Sequence, residues 1–217
     1  MSKKNNRKKI GTATFHAAHN YGAMLQAYAL LKYLECENDI EIIDYHNYNL
    51  YKHYNIIRPL SKNPIKSCKR LIEDISNYKI KKSRHDSFEK FAKNKYKISS
   101  KYNSEIQVKN IGDKYNILIT GSDQVWNPGI VGKLSDIYTL NFGDENIKRI
   151  SYAASVGDAS QVFNNKEEFK NKISKIDYIS VREADAKEEL SKIIDKPIEV
   201  VLDPTLLLTR NKWEEEL

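Results

Sequence analysis

The chain has 217 residues, 40% hydrophobic and 30% charged, which is enough to bury a core in one large domain or two small ones. Its two cysteines, Cys36 and Cys68, match no zinc spacing and offer no disulfide framework, which points to a reducing, cytoplasmic setting. The net charge of +7 reads as lysines spread along the chain, many beside Asp or Glu; this argues against a nucleic-acid partner and for attraction to a small anion or an anionic membrane face.

In chain order, the opening MSKKNNRKK is basic but has no apolar segment behind it, unlike a secretory signal. No run approaches the roughly 18 apolar residues of a spanning helix. KKIGTATF then reads as a first strand, feeding a helix from Gly22 to Glu35 that is apolar almost all round and therefore buried. Between them, Asn20 is a candidate N-cap and Gly22 allows close backbone approach, so Asn20-Tyr21-Gly22 is either a ligand-facing corner or a tight capped turn. His16 and His19 stand three apart with no Cys, Asp or Glu nearby in sequence to complete a set, so no metal is expected.

IEIIDYH reads as a second strand. Residues 47–110, rich in Lys, Tyr and Asn and holding Pro59 and Pro64, read as a helical insertion that is mobile and largely exposed. A buried strand in YNILITG ends at Gly121, Ser122, Asp123 and Gln124, which suit a sharp exit, a cap or hydrogen bonds to a sugar. Trp126 offers a face for a pyranose ring or for plain packing. No Gly-Lys-Ser/Thr pairing makes this a phosphate-binding P-loop.

IYTLNF, RISYAASVG, DYISVRE and IEVVLDP read as further strands, with the amphipathic ADAKEELSKII between the last two. Ser155 leaves room at a strand end for a ligand or for a neighbouring helix. Arg182 follows a buried strand, where its planar fork either takes a carboxylate or phosphate or forms an internal bridge to Asp or Glu. Asp203, before Pro204, reads as a turn residue. Short buried strands alternating with helices predict an α/β, doubly wound, mostly parallel sheet with helices on both faces.

Taken in this order, HNYGAMLQAYAL, ITGSDQVWN, SYAASVG, ISVRE and VVLDPTLLL resemble the polysaccharide pyruvyl transferase family. The resemblance runs from about Lys9 to the end, apart from the insertion. It implies a Rossmann-like domain over residues 1–217, the N-terminal half of a GT-B-like architecture, with the second, C-terminal domain absent or supplied by a partner chain. It also implies transfer of a pyruvyl group from phosphoenolpyruvate to two hydroxyls of a cell-wall polysaccharide or exopolysaccharide, forming a ketal without a cofactor. On that resemblance Asn20, Gly22 and Arg182 are donor-binding candidates. Tyr21, Gly121, Ser122, Asp123, Gln124, Trp126 and Ser155 are candidates for the donor or acceptor pocket, and the catalytic acid and base are unassigned. The implied partner is a carbohydrate, reached by peripheral association if it is membrane-linked. A nucleotide-sugar glycosyltransferase and a non-catalytic interaction module are the competing expectations.

Overall fold

A computed structural model describes residues 7–60 and 62–217. The first six residues of the basic opening lie outside them. Six strands form one sheet: β1 (Lys9–Ala13), β2 (Asp39–Ile42), β3 (Ile117–Gly121), β4 (Lys148–Ala154), β5 (Tyr178–Val181) and β6 (Ile198–Val200). Every pairing is parallel and the order is β2-β1-β3-β4-β5-β6. The sheet is thus wholly parallel, and the chain reverses its direction of travel between β1 and β3.

Ten α-helices are described: α1 (Tyr21–Leu34), α2 (Tyr48–Tyr51), α3 (Pro64–Ser76), α4 (Tyr78–Lys95), α5 (Glu105–Lys109), α6 (Pro128–Val131), α7 (Ser160–Asn164), α8 (Lys166–Ile173), α9 (Ala184–Ser191) and α10 (Arg210–Glu216). Because strand side chains alternate between faces, Ile10, Ile40 and Ile119 join one core with Met24, Tyr28 and Leu31 of α1 and Phe88 of α4. Leu118, Ile179 and Val181 join the other, with Val108, Phe169 and Leu190 from α5, α8 and α9. Trp213 of α10 closes the first face: its ring lies 5.8 Å from that of Tyr28, and its Nε1 donates to the Thr205 carbonyl at 3.1 Å.

α1 starts as its sequence dictates. Asn20 is extended, and its side chain accepts from the Ala23 amide at 3.3 Å. Eight of the fourteen residues of α1 are buried, so the helix lies across the sheet instead of floating on it. Gly121 lets α1 pack closely here: a Cβ would sit 2.8 Å from Leu30 Cδ2 and push that side chain aside.

The segment IYTLNF is a correction to the sequence reading: residues 137–142 form a buried run of turns, not a strand. Its apolar side chains are buried as a strand's would be, but turn bonds within the main chain and side-chain donors, rather than a neighbouring strand, satisfy its backbone. Trp126 Nε1 donates to the Tyr138 carbonyl, and the Arg149 guanidinium donates to the carbonyls of Leu140 and Phe142, each at 2.9 Å. Between β2 and β3 the chain is helical. It also returns to the sheet, where residues near Ile98 and Tyr102 bridge in parallel to Ile42 and Tyr45.

Candidate active site

In open parallel sheets, ligands bind beyond the carboxyl ends of the strands where the strand order reverses. At that point, between β1 and β3, lies a cavity of about 470 Å³. Asn20, Gly22, Gln26, Asp123, Gln124, Arg182, Asp203 and Thr205 supply its polar lining, with Phe15, Leu50, Tyr54 and Ile130 among its apolar walls. Corners of the chain more than 150 residues apart in sequence therefore share one space.

A continuous set of hydrogen bonds fixes the floor. Gln26, 2% exposed, donates through Nε2 to Thr14 Oγ1 and to the Ala23 carbonyl, both at 2.8 Å. Thr14 Oγ1 donates to the Ser122 carbonyl at 3.2 Å, and Ser122 Oγ donates to Asp203 Oδ2 at 2.6 Å. Asp203 also accepts from the Thr205 amide at 3.0 Å and from Arg182 Nη1 at 3.4 Å. The chain of bonds ties β1, α1, β3, β5 and the segment after β6 into a rigid rim. Gln26 lines the cavity, and among the described residues its side-chain oxygen is buried without a hydrogen-bond partner.

Asp123 stands at the exit of β3 with φ of 71°, in the left-handed region that Asp tolerates better than most residues. Its main-chain oxygen accepts from the Ser155 amide at 3.0 Å, which stitches the β3 and β4 ends together. Burial pushes its carboxyl above the usual range; the Gln124 amide and the charge of Arg182 only partly offset this. Asp203 behaves oppositely: burial works against its charge, but Ser122, Thr205 and Arg182 together hold its carboxyl below the usual range. Two carboxyl groups of one cavity are thus driven apart, the arrangement that separates acid from base roles.

The remaining side chains are placed by packing. Gln124 Oε1 accepts from Asn127 Nδ2 at 2.7 Å, and Gly157, at φ of 79°, leaves the space both occupy. Arg182 makes the internal bridges: Nε to Glu183 at 3.0 Å and Nη1 to Asp203. The cavity's charged lining is therefore one guanidinium and two carboxylates. Next to it, sharing Tyr54, lies a recess of about 200 Å³ with the opposite character, lined by His19, His53, Arg58, Lys81, Arg84 and His85.

Of the residues singled out from sequence, Asn20, Gly22, Asp123, Gln124 and Arg182 line the cavity. Ser122 lies in its floor. Trp126 does not reach it, being fully buried beneath, and Gly121 faces α1. Ser155 is also buried, its hydroxyl accepting from the Gly157 amide at 3.1 Å. Tyr21 is 70% exposed and turns the other way, onto Phe88 of α4 at 5.0 Å. Gln26, Tyr54 and Thr205 were not anticipated, and Asp203 had been assigned only a turn. The available signals were a lone glutamine in an apolar helix and a carboxylate at a strand end.

His16, expected to lack acidic company, has it from the segment just after β2. Its Nε2 lies 2.9 Å from Asp44 Oδ1, which His46 Nε2 also approaches at 2.7 Å. Burial opposes the Asp44 charge, but the two imidazoles hold its carboxyl well below the usual range. These are hydrogen-bond lengths, and the set clamps the β1 end to the β2 end. His19 lies apart from it, stacked on Phe88 and bonded to Glu89 Oε1 at 2.9 Å.

Fold and cavity together define an α/β protein with a polar-lined cavity on the carboxyl rim of a parallel sheet. Residues 20–216 match the family model described as polysaccharide pyruvyl transferase, nearly the whole chain, and the chain belongs to that family. No protein of curated function matches the sequence significantly. Among the described residues no helix is long and apolar enough to cross a membrane.

Proposed function

We propose that this chain provides the N-terminal, Rossmann-like half of an enzyme that moves a pyruvyl group from phosphoenolpyruvate onto two hydroxyls of a sugar, in building a cell-surface or extracellular polysaccharide in the cytoplasm. The observation that carries the reading is the convergence of Asn20, Asp123, Gln124 and Arg182 in one cavity of a chain belonging to this family.

The reaction needs an acid at the methylene carbon and a base at the sugar hydroxyl. Asp123, pushed up by burial, suits the first role. Its proton goes to the methylene carbon and makes it a methyl group. One sugar hydroxyl then bonds to the neighbouring carbon and returns a proton to the Asp123 carboxylate. Breaking the carbon–oxygen bond to phosphate releases inorganic phosphate, and the second hydroxyl closes the ketal, its proton leaving with phosphate or solvent. Asn20, Gln26 and Gln124 are placed to orient the hydroxyls. Arg182 and the adjoining basic recess supply positive charge for the donor's carboxylate and phosphate.

A thermal-shift titration tests donor recognition. Phosphoenolpyruvate is expected to raise the Tm, with the shift lost in Arg182→Ala. Phosphate release with a polysaccharide acceptor is expected to fall by at least about a hundredfold in Asp123→Asn. Protection by a nucleotide-sugar but not by phosphoenolpyruvate would overturn the reading in favour of a glycosyltransferase.

A further inference from the structure

Lysines occur along the whole chain, but, correcting the reading of an even spread, the net positive charge is concentrated in one segment. Residues 58–95, which hold α3 and α4, carry twelve Lys and Arg against four Asp and Glu, a local net charge of +8 in a chain whose total is +7. The same segment carries an exposed apolar stripe. On α3, Ile65, Cys68, Leu71, Ile72 and Ile75 recur at spacings of three and four, which places them on one face of about 120°. They are uncovered: Ile65 and Ile72 are each 69% exposed and Ile75 is 61% exposed.

The rest of the helix surface shows how it is oriented. Asp74 is fully buried and accepts from the Arg58 amide and Nε, each at 2.9 Å, and from Lys81. This fastens one side of α3 to the preceding loop and to α4. Lys66, Lys69 and Arg70 flank the opposite edge of the stripe. α3 is therefore an amphipathic helix held by a buried carboxylate along one edge, with its apolar face turned outward and basic residues along the other edge. A helix of strong amphipathicity, with Lys and Arg bordering an aliphatic face, has the composition of one that lies in a bilayer interface. Since none of the described helices spans a membrane, contact of this kind would be interfacial.

We infer that the α3–α4 hairpin docks the protein on an anionic lipid bilayer, the α3 stripe entering the headgroup boundary and the surrounding cations pairing with acidic lipid. The charge decides for lipid over a second copy of this chain: two faces of +8 repel each other, whereas an anionic surface attracts both the helix and its flanks. The inference does not depend on the chemistry proposed above. If both hold, the hairpin brings the basic recess, which contains Arg58, Lys81 and Arg84, and the adjoining cavity to the membrane face, where a lipid-linked glycan would be presented.

The test uses the full chain with Cys36→Ser and an environment-sensitive fluorophore on Cys68, in the middle of the stripe. Neither donor nor acceptor is present, so its failure is distinct from failure of the catalytic reading. With vesicles of equal parts phosphatidylcholine and phosphatidylglycerol, the probe is expected to shift to the blue and the protein to sediment with the lipid, less so as salt rises. Phosphatidylcholine alone is expected to give neither. Ile65→Ser with Ile72→Ser is expected to weaken binding by at least about tenfold, because each exposed isoleucine loses its transfer into the boundary. Unlabelled protein carrying only that pair reports the same loss by sedimentation, which excludes an effect of the dye. Equal binding to both vesicle types, no binding to the acidic vesicles at low salt, or a blue shift caused by dimerisation without lipid would each overturn the inference.

Discussion

Arg149 affords the most direct test of how the cavity's underside is built. It lies in β4, is 6% exposed, and sends its guanidinium into the run of turns that replaces the expected strand. Nε donates to the Leu140 carbonyl at 2.9 Å and Nη1 to Ile147 at 2.8 Å; Nη2 donates to Phe142 and Asp144, both at 2.9 Å. Arg149→Met keeps the aliphatic stem and removes every donor. Loss of a buried charge also relieves its desolvation, which would favour the variant if the partners could be repaired. Among the described residues the carbonyls of Leu140, Phe142 and Ile147 have no other donor, whereas that of Asp144 also accepts from the Ile147 amide at 3.3 Å, so at about 1 kcal/mol for each of the three the net loss is ~3 kcal/mol. That is a large part of the ~5–15 kcal/mol available to a domain. Urea unfolding should show the midpoint falling by about 2 M at unchanged slope. Arg149→Lys, with a point charge in place of the fork, should fall between the two. A midpoint for Arg149→Met within about 0.5 M of the parent would refute the assignment of these carbonyls to the arginine.

Three other outcomes are expected. In Gly157→Ala the new Cβ would lie 2.4 Å from Asn127 Nδ2 and 2.6 Å from Gln124 Oε1. A backbone cost of about 1–2 kcal/mol at positive φ is expected together with a weaker phosphoenolpyruvate-induced Tm shift; no change in either would remove Gln124 from the site. The raised carboxyl of Asp123 means the folded chain binds the proton more tightly, so stability falls as pH rises from about 4 through the folded pKa. Asp123→Asn should therefore be more stable than the parent at neutral pH while losing turnover, and a variant less stable there would contradict the burial argument. Asp74 is the reverse case: burial opposes its charge, but Arg58 and Lys81 hold its carboxyl low. Its stabilisation of the hairpin is present above about pH 4 and lost as pH falls below it. Hydrogen exchange of the α3 amides should speed up in acid in the parent and be pH-independent, after correction for intrinsic rates, in Asp74→Asn.

The sheet was legible because a parallel strand buried on both faces has to be a short apolar run, and KIGTA, ILITG and YISV are such runs. IYTLNF has the same composition and is not a strand, since composition reports burial and not which group satisfies the backbone. Arg149, which decides the matter, lies several residues downstream. The site was partly legible for a related reason. Asn20, Asp123, Gln124 and Arg182 each follow a strand, and strand ends share a rim whatever the pairing order. Gln26 and Asp203 depend on contacts that sequence does not rank, such as the Ser122–Asp203 bond across 81 positions. Trp126 was ambiguous between ring stacking and packing, and burial of its indole under Tyr138 decides for packing.

The division of charge around Tyr54 leads to a last expectation. The cavity sets Asp203, and Asp123 whose carboxyl is pushed up by burial, against Arg182 alone, so by itself it offers a small polyanion little net attraction and suits hydroxyls. The recess beyond Tyr54 has Arg58, Lys81 and Arg84 with three histidines, and Arg58 and Lys81 are already committed to Asp74. Arg84 is the cation of that set with a lighter commitment: a 3.3 Å bond to the His19 carbonyl and a position 5.5 Å over the Phe88 ring. If the donor's phosphate draws on the recess, Arg84→Glu should weaken phosphoenolpyruvate protection by about tenfold or more, with stronger loss at low salt than at high. Asp203→Asn should strengthen it, by removing a carboxylate from the approach. If Arg84→Glu left protection intact while Arg182→Ala abolished it, the donor would be confined to the cavity.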